Sequence, residues 1–219
     1  MRVKICGNTN LEDARVAAGA GADMLGFIFY PPSPRSISVE GAAEIISALR
    51  DGIGASAPAI VGVFVDESPE LVRECTRELA LDLVQLHGSE PPVEVRLLQP
   101  YAFKAIRPRS RGGAEALAAT YADVLGQDSD VPHFLVDAHH PWKPGGSGQT
   151  ADWAIGQVLA RRFRILLAGG LTPDNVRAAI QRVNPWGVDV ASGVEREPGI
   201  KDHERVRQFI RAAHEYQKA

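Results

Sequence analysis

The chain has two cysteines in 219 residues, Cys6 and Cys75. That is too few for a disulfide framework, so an apolar core has to hold the fold, and a reducing compartment is expected. No block of Lys or Arg accompanies the formal net charge of -3. A phosphodiester backbone needs a basic footprint, so nucleic acid is not an expected partner. No apolar run is long enough to span a bilayer, and Met1-Arg2-Val3-Lys4-Ile5-Cys6 enters a strand pattern without the apolar region of a signal peptide. The expectation is a cytoplasmic protein without a membrane partner, taken by default as a monomer. Also missing is a Gly-x-Gly-x-x-Gly after the first strand pattern, which argues against an open dinucleotide-binding sheet.

What is present is an alternation of strand and helix patterns. Hydrophobic residues make up 45% and charged residues 23%, ordinary for a globular chain. Val3 to Cys6 reads as a strand, and Thr9-Asn10-Leu11-Glu12 fits a capping box ahead of a helix that Gly21 closes. Six further strand patterns start at Met24, Ala59, Leu83, Ala102, Phe134 and Ile165, and an eighth runs from Gly187 to Ala191. Between them lie helix patterns, among them one opened by Ser68-Pro69, one starting at Thr150 and one capped by Thr172-Pro173-Asp174; a last amphipathic segment follows His203. Eight units of roughly 27 residues predict a single-domain α/β (β/α)8 TIM barrel over residues 1–219.

A barrel makes side-chain direction predictable, because strand residues alternate between interior and helix-facing sides and active sites sit at the carboxyl ends of the strands. Val3 and Ile5 suit the outer side, which turns Lys4 and Cys6 inward. Val84 and Leu86 likewise leave Gln85 and His87 inside, and the same parity brings Arg107 and Asp137 to the mouth. Each of these has an ordinary structural explanation alone, but Cys6, His87, Arg107 and Asp137 at one rim point to chemistry. Glycine-bearing loops follow the last three strands: Gly145-Gly146-Ser147-Gly148, then Gly169-Gly170, then Ser192-Gly193. Barrels hold phosphate with such loops, because bare backbone N–H groups can approach the anion.

With these residues placed, the chain resembles the phosphoribosylanthranilate isomerases of tryptophan biosynthesis over nearly its whole length. The likeness rests on Lys4-Ile5-Cys6-Gly7-Asn8-Thr9, Ser33-Pro34-Arg35, Gln85-Leu86-His87-Gly88, Gly145-Gly146-Ser147-Gly148, Ala168-Gly169-Gly170-Leu171 and Ser192-Gly193-Val194-Glu195 with Lys201-Asp202. What the resemblance implies is a cofactor-free Amadori rearrangement of an aminoaldose to an aminoketose, with a phosphosugar-anthranilate as the small-molecule substrate. By the same match Cys6 is the general base, Asp137 the general acid and Arg35 the receptor of the anthranilate carboxylate. His87 and Arg107 line the substrate site, and the glycine loops hold the phosphate.

The acid has to protonate the furanose ring oxygen, and the base then removes the C2 proton. Lys4 and Cys6 are two apart on one strand, so an ammonium either supports the thiolate or pairs with an acidic group inside the barrel. His139-His140 beside Asp137 invites a metal reading, but no spaced third ligand is evident and no metal is expected. Those histidines and Trp142 are better suited to covering the aromatic half of the substrate, or to sitting in solvent. Competing readings are another phosphosugar isomerase or epimerase barrel and a non-catalytic phospho-ligand binder.

Overall fold

A computed structural model describes residues 1–53, 57–137 and 153–215. Eight parallel strands close on themselves in sequence order, each hydrogen-bonded to the next and β8 to β1. They are β1 (Arg2–Cys6), β2 (Met24–Ile28), β3 (Ala59–Phe64), β4 (Leu83–Leu86), β5 (Ala102–Ile106), β6 (Phe134–Asp137), β7 (Ile165–Ala168) and β8 (Gly187–Val190). The helices that follow them are α1 (Leu11–Gly19), α2 (Val39–Ile53), α3 (Pro69–Leu79), α4 (Pro92–Leu97), α5 (Arg111–Tyr121), α6 (Trp153–Ala160), α7 (Val176–Val183) and α8 (His203–Glu215). Among the described residues no helix is long and apolar enough to cross a membrane.

The period of two along each strand separates two cores. Val3, Ile5, Val84, Leu86, Phe134 and Val136 face outward into a shell packed against the helices, where Ala14, Ala17, Val72, Ile155 and Phe209 meet them. Met24, Val61, Leu83, Phe103, Leu135 and Leu166 fill the interior instead. These come from early positions of their strands, so the interior has an apolar floor. Later inward positions carry Cys6, Gln85, His87 and Asp137, and the mouth is polar.

Local signals mostly explain the helix starts. Ser68 accepts a hydrogen bond from the Leu71 amide with Pro69 in the first turn, and Ser38 does the same for Gly41. Two caps differ from expectation. The α1 cap is Asn10, whose side chain accepts from the Asp13 amide, so the box starts one residue later than Thr9. The segment Thr172-Pro173-Asp174 forms a turn before α7: its amide at Thr172 donates to Asn175 Oδ1, and the helix begins only at Val176. The anticipated helix start at Thr150 lies outside the described residues. A short hairpin, β9 (Glu195–Glu197) with β10 (Ile200–Lys201), was not anticipated; three- and two-residue strands leave too little pattern to read.

Asp13 ties this hairpin to the barrel. It is 3% exposed, its Oδ2 accepts from Asn10 Nδ2 at 2.7 Å and from the Lys201 amide at 2.8 Å, and His203 Nε2 lies 2.8 Å from Oδ1. One carboxylate thereby joins α1, β10 and α8. Replacing Asp13 by Ala strands these partners and should cost roughly 1–3 kcal/mol of unfolding free energy in urea titrations, the range for leaving buried hydrogen-bonding groups unpaired.

Candidate active site

A cavity of about 670 Å³ opens at the carboxyl ends of the strands. Its lining includes Cys6, Arg35, His87, Arg107, Asp137, Gly169, Gly170, Ser192 and Gly193, so these expected residues meet at one mouth. Gly145, Gly146, Ser147 and Gly148, with His139, His140 and Trp142, lie outside the described residues. A second groove, of about 770 Å³, runs between α1 and α8 on the outer wall and is lined by Arg15, Arg207 and Arg211 among others. It does not reach the strand ends.

Cys6 closes β1 and is 5% exposed. Two residues back, Lys4 is fully buried, and its Nζ lies 2.7 Å from Oδ1 of Asp189, its direct partner across the β1–β8 register. The structure thus shows the pairing of Lys4 with an acidic group inside the barrel, and the same ammonium opposes the effect of burial on the Cys6 thiol. Gly26 faces Cys6 across the β1–β2 register, and a Cβ there would lie 2.7 Å from Sγ and 3.0 Å from Lys4 Nζ, so glycine alone leaves the thiol its room. Burial pushes the Cys6 thiol above its ordinary pKa; the Lys4 ammonium opposes this and the Asp189 carboxylate adds to it. Cys6 rests as a thiol. Burial acts against the Lys4 charge too, but Asp189 and Cys6 outweigh it and the ammonium is held above its usual range.

Asp137 ends β6 with its side chain 27% exposed, and Arg107 Nε lies 3.8 Å from its Oδ2. That is too long for a hydrogen bond. His87 is pushed down to about pKa 3, first by burial and then by Arg107, Lys4 and Lys104, so its ring is neutral at any physiological pH. Gln85 Nε2 lies 2.7 Å from His87 Nδ1. An amide nitrogen only donates, so in this orientation the ring proton sits on Nε2.

The loops after β3 and β4 are fixed by a second buried pair, Lys104 Nζ to Glu90 Oε2 at 3.1 Å. Glu90 accepts from the amides of Asp66 and Gly88, and Lys104 donates to the Leu86, Gly88 and Ala105 carbonyls. After β7, Gly169 and Gly170 both take positive φ (93° and 66°), which turns the chain sharply where side chains would strain it. A Cβ on Gly193 would run into the Leu171 carbonyl oxygen, so the loops after β7 and β8 are in direct contact. That is the side-by-side placement expected of these two glycine loops.

Arg35 differs from the simple expectation of a free carboxylate receptor. Its Nε lies 2.9 Å from Glu195 Oε1 and its Nη2 2.7 Å from Oε2. Glu195 in turn lies 3.0 Å from Lys201 Nζ. Asp189, Glu195, Lys201 and the Lys104–Glu90 pair were not singled out as site residues from the sequence. A signal existed for some of them: Asp189 lies between Val188 and Val190, and Lys104 interrupts Phe103 and Ala105. A charge inside an apolar strand has to find a buried partner.

The closed parallel barrel, with a polar cavity at the carboxyl ends of its strands, defines the class of (β/α)8-barrel enzymes. Within that class, the family model described as N-(5'-phosphoribosyl)anthranilate (PRA) isomerase matches residues 3–212, and the chain belongs to this family. It is 46% identical over 216 residues to the N-(5'-phosphoribosyl)anthranilate isomerase of Trichlorobacter lovleyi, covering 98% of both chains. The isomerase of Pelobacter propionicus is 44% identical, with 98% of this chain and 96% of that one covered. Among solved structures, the isomerase of Thermotoga maritima superposes with a TM-score of 0.85 at 41% identity, covering 98% of this chain and 99% of that one. An isomerase in complex with reduced 1-(o-carboxyphenylamino)-1-deoxyribulose 5-phosphate gives 0.82 at 39% identity and the same coverage. A further match is to monomers of the dimeric Thermotoga maritima enzyme, at a TM-score of 0.82, 38% identity and the same coverage.

Two titrations check these electrostatics. Alkylation of Cys6 by iodoacetamide should have its midpoint above that of an ordinary thiol, and Lys4→Met should move it higher still, because the cation that opposes the burial effect is gone; an unmoved midpoint would remove Lys4 from the account of Cys6. The His87 ring nitrogens should keep neutral-form NMR shifts at pH 5, where an unperturbed histidine, with pKa about 6.5, is mostly protonated. Because its folded pKa lies below the unfolded one, His87 makes stability rise with pH between those two values.

Proposed function

We propose that this chain converts N-(5'-phosphoribosyl)anthranilate to 1-(2-carboxyphenylamino)-1-deoxyribulose 5-phosphate, with Asp137 as general acid and Cys6 as general base. The observation that carries the assignment of roles is their placement. They end β6 and β1, three strands apart along β6–β7–β8–β1, and both line a single cavity. A proton donor and a proton acceptor can therefore serve different atoms of one sugar.

In this reading Asp137 gives its proton to the furanose ring oxygen. The bond from C1 to that oxygen breaks, and the anthranilate nitrogen's lone pair forms the C1=N bond of a cationic Schiff base. Cys6 as thiolate then takes the C2 proton, the electrons of the C2–H bond form C1=C2, and the C=N electrons return to nitrogen. The resulting enolamine tautomerises to the ketone. The resting thiol gives up its own proton to solvent water once the substrate is bound, and the cation formed in the first step supplies the charge that favours the thiolate in the second. The chemistry needs no organic cofactor and no metal.

Arg35 receives the anthranilate carboxylate with the part of its guanidinium that Glu195 leaves open, since a planar fork suits a carboxylate better than an ammonium does. Gly169, Gly170, Ser192 and Gly193, with Gly145, Gly146, Ser147 and Gly148, hold the phosphate. His87 donates from Nε2, and Arg107 keeps Asp137 oriented. Anchoring both ends of the substrate fixes C1 and C2 between acid and base. The working unit is the single chain, since all these residues come from one copy, and a reducing cytoplasm is the compartment in which a thiol base survives.

Loss of anthranilate-adduct fluorescence in single turnovers on freshly made phosphoribosylanthranilate tests the reading. The purified chain should convert it, and Cys6→Ser and Asp137→Asn should each be slower by about a hundredfold or more, the effect of removing an acid–base group. An inactive wild-type chain ends the proposed function. Undiminished variants would leave the reaction standing and reject the two roles.

A further inference from the structure

Around the mouth, buried charges are matched one to one: Lys4 by Asp189 and Lys104 by Glu90. The cluster beneath Arg35 is different. Glu195 accepts Arg35 Nε at 2.9 Å and Nη2 at 2.7 Å, and Lys201 Nζ at 3.0 Å, so one carboxylate serves two cations. Lys201 Nζ also donates to the Cys6 carbonyl at 2.6 Å and, at the longer distance of 3.5 Å, to the Ala191 carbonyl. Three acceptors around one nitrogen call for three N–H groups, which the ammonium has and the neutral amine lacks. The cluster therefore carries one positive charge in excess.

That excess has one way out. The Lys201 side chain is 0% exposed and that of Glu195 5%, whereas Arg35 is 22% exposed and lines the cavity. Without Lys201, the Arg35–Glu195 pair would be neutral and would offer a carboxylate little attraction. With it, a ligand bearing one negative charge brings the group to two cations and two anions, in a wall where screening is weak.

We propose that Lys201 and Glu195 are the positioning residues that make Arg35 a receptor for a monoanionic carboxylate: Glu195 holds the guanidinium against the cavity wall, and Lys201 keeps the assembly net positive. The inference rests on the assignment of Arg35 made above. Burial holds the Lys201 ammonium below its usual range, with Glu195 opposing it only in part, while the hydrogen bonds to Glu195 hold the Arg35 charge above its ordinary range. Lys201 further links this receptor to the backbone of the residue assigned as base, at the Cys6 carbonyl.

The test compares kcat/KM for phosphoribosylanthranilate with kcat/KM for the same aminosugar built on aniline, which lacks the ring carboxylate. The ratio of the two is the readout, because a structural defect lowers both and leaves it unchanged. Lys201→Met should lower the ratio by about tenfold or more, the size of one lost charge-assisted contact. Adding Glu195→Gln to that variant restores the single positive charge and should return the ratio to within about threefold of wild type. An unchanged ratio in Lys201→Met, or no recovery in the double variant, overturns the proposal. If Lys201→Met fails to fold by circular dichroism, Lys201→Gln takes its place, removing the charge while keeping a polar head: the ratio should again fall by about tenfold, and an unchanged ratio overturns the proposal. Arg35→Met separates the layers. If it leaves the ratio untouched while wild type turns over phosphoribosylanthranilate, the Arg35 assignment fails and this inference with it, whereas the proposed reaction stands.

Discussion

The mouth of the barrel depends on an ion pair sealed in the seam that closes it. Lys4 and Asp189 face each other in register between the first strand and the last, with the lysine wholly out of water. Two charges at that depth are tolerable only together, since either alone would carry an unpaid desolvation penalty. Their pairing joins the ends of the sheet with side chains as well as with backbone. It also places an ammonium one inward position below Cys6 and sets the electrostatic level at which that thiol works. The Lys104–Glu90 pair does corresponding work across the barrel, where it shapes the loops after β3 and β4 through their own amides and carbonyls. The catalytic rim is thus supported from below by matched charge over an apolar floor.

Much of this was legible because strand periodicity is rigid. Once Val3 and Ile5 are assigned to the helix side, Lys4 and Cys6 have to point inward, and the same step places His87, Arg107 and Asp137 at the mouth that the structure displays. Glycine loops are legible for a related reason, since few other residues permit such close backbone approach. Fine detail at helix starts was less so: Thr9 and Asn10 are both good capping residues, and which one caps depends on where Asp13 is drawn by Lys201 and His203, contacts from the far end of the chain.

Partnerships between distant segments were not legible at all. Arg35 looks like a loop residue free to meet a ligand, and nothing local shows that Glu195, on a hairpin 160 positions away, already holds it. The hairpin itself escaped because its strands are shorter than any pattern that distinguishes strand from loop. Asp189 stood in view between two valines, yet its significance depends on Lys4 standing opposite, which only barrel closure brings about. Side-chain direction is a property of one segment and can be read there. Charge compensation belongs to pairs of segments, and a single sequence does not show it.

The close fit of Gly26 against Cys6 has a chemical consequence of another kind. A thiol that is buried, held in its protonated form and walled by a neighbouring backbone is a poor target for peroxide, because oxidation to sulfenic acid proceeds through the thiolate and needs access to the sulfur. Burial and the protonated state together keep it off the oxidation ladder. The barrel thereby shields a reactive side chain through its packing and through the protonation state that this packing enforces.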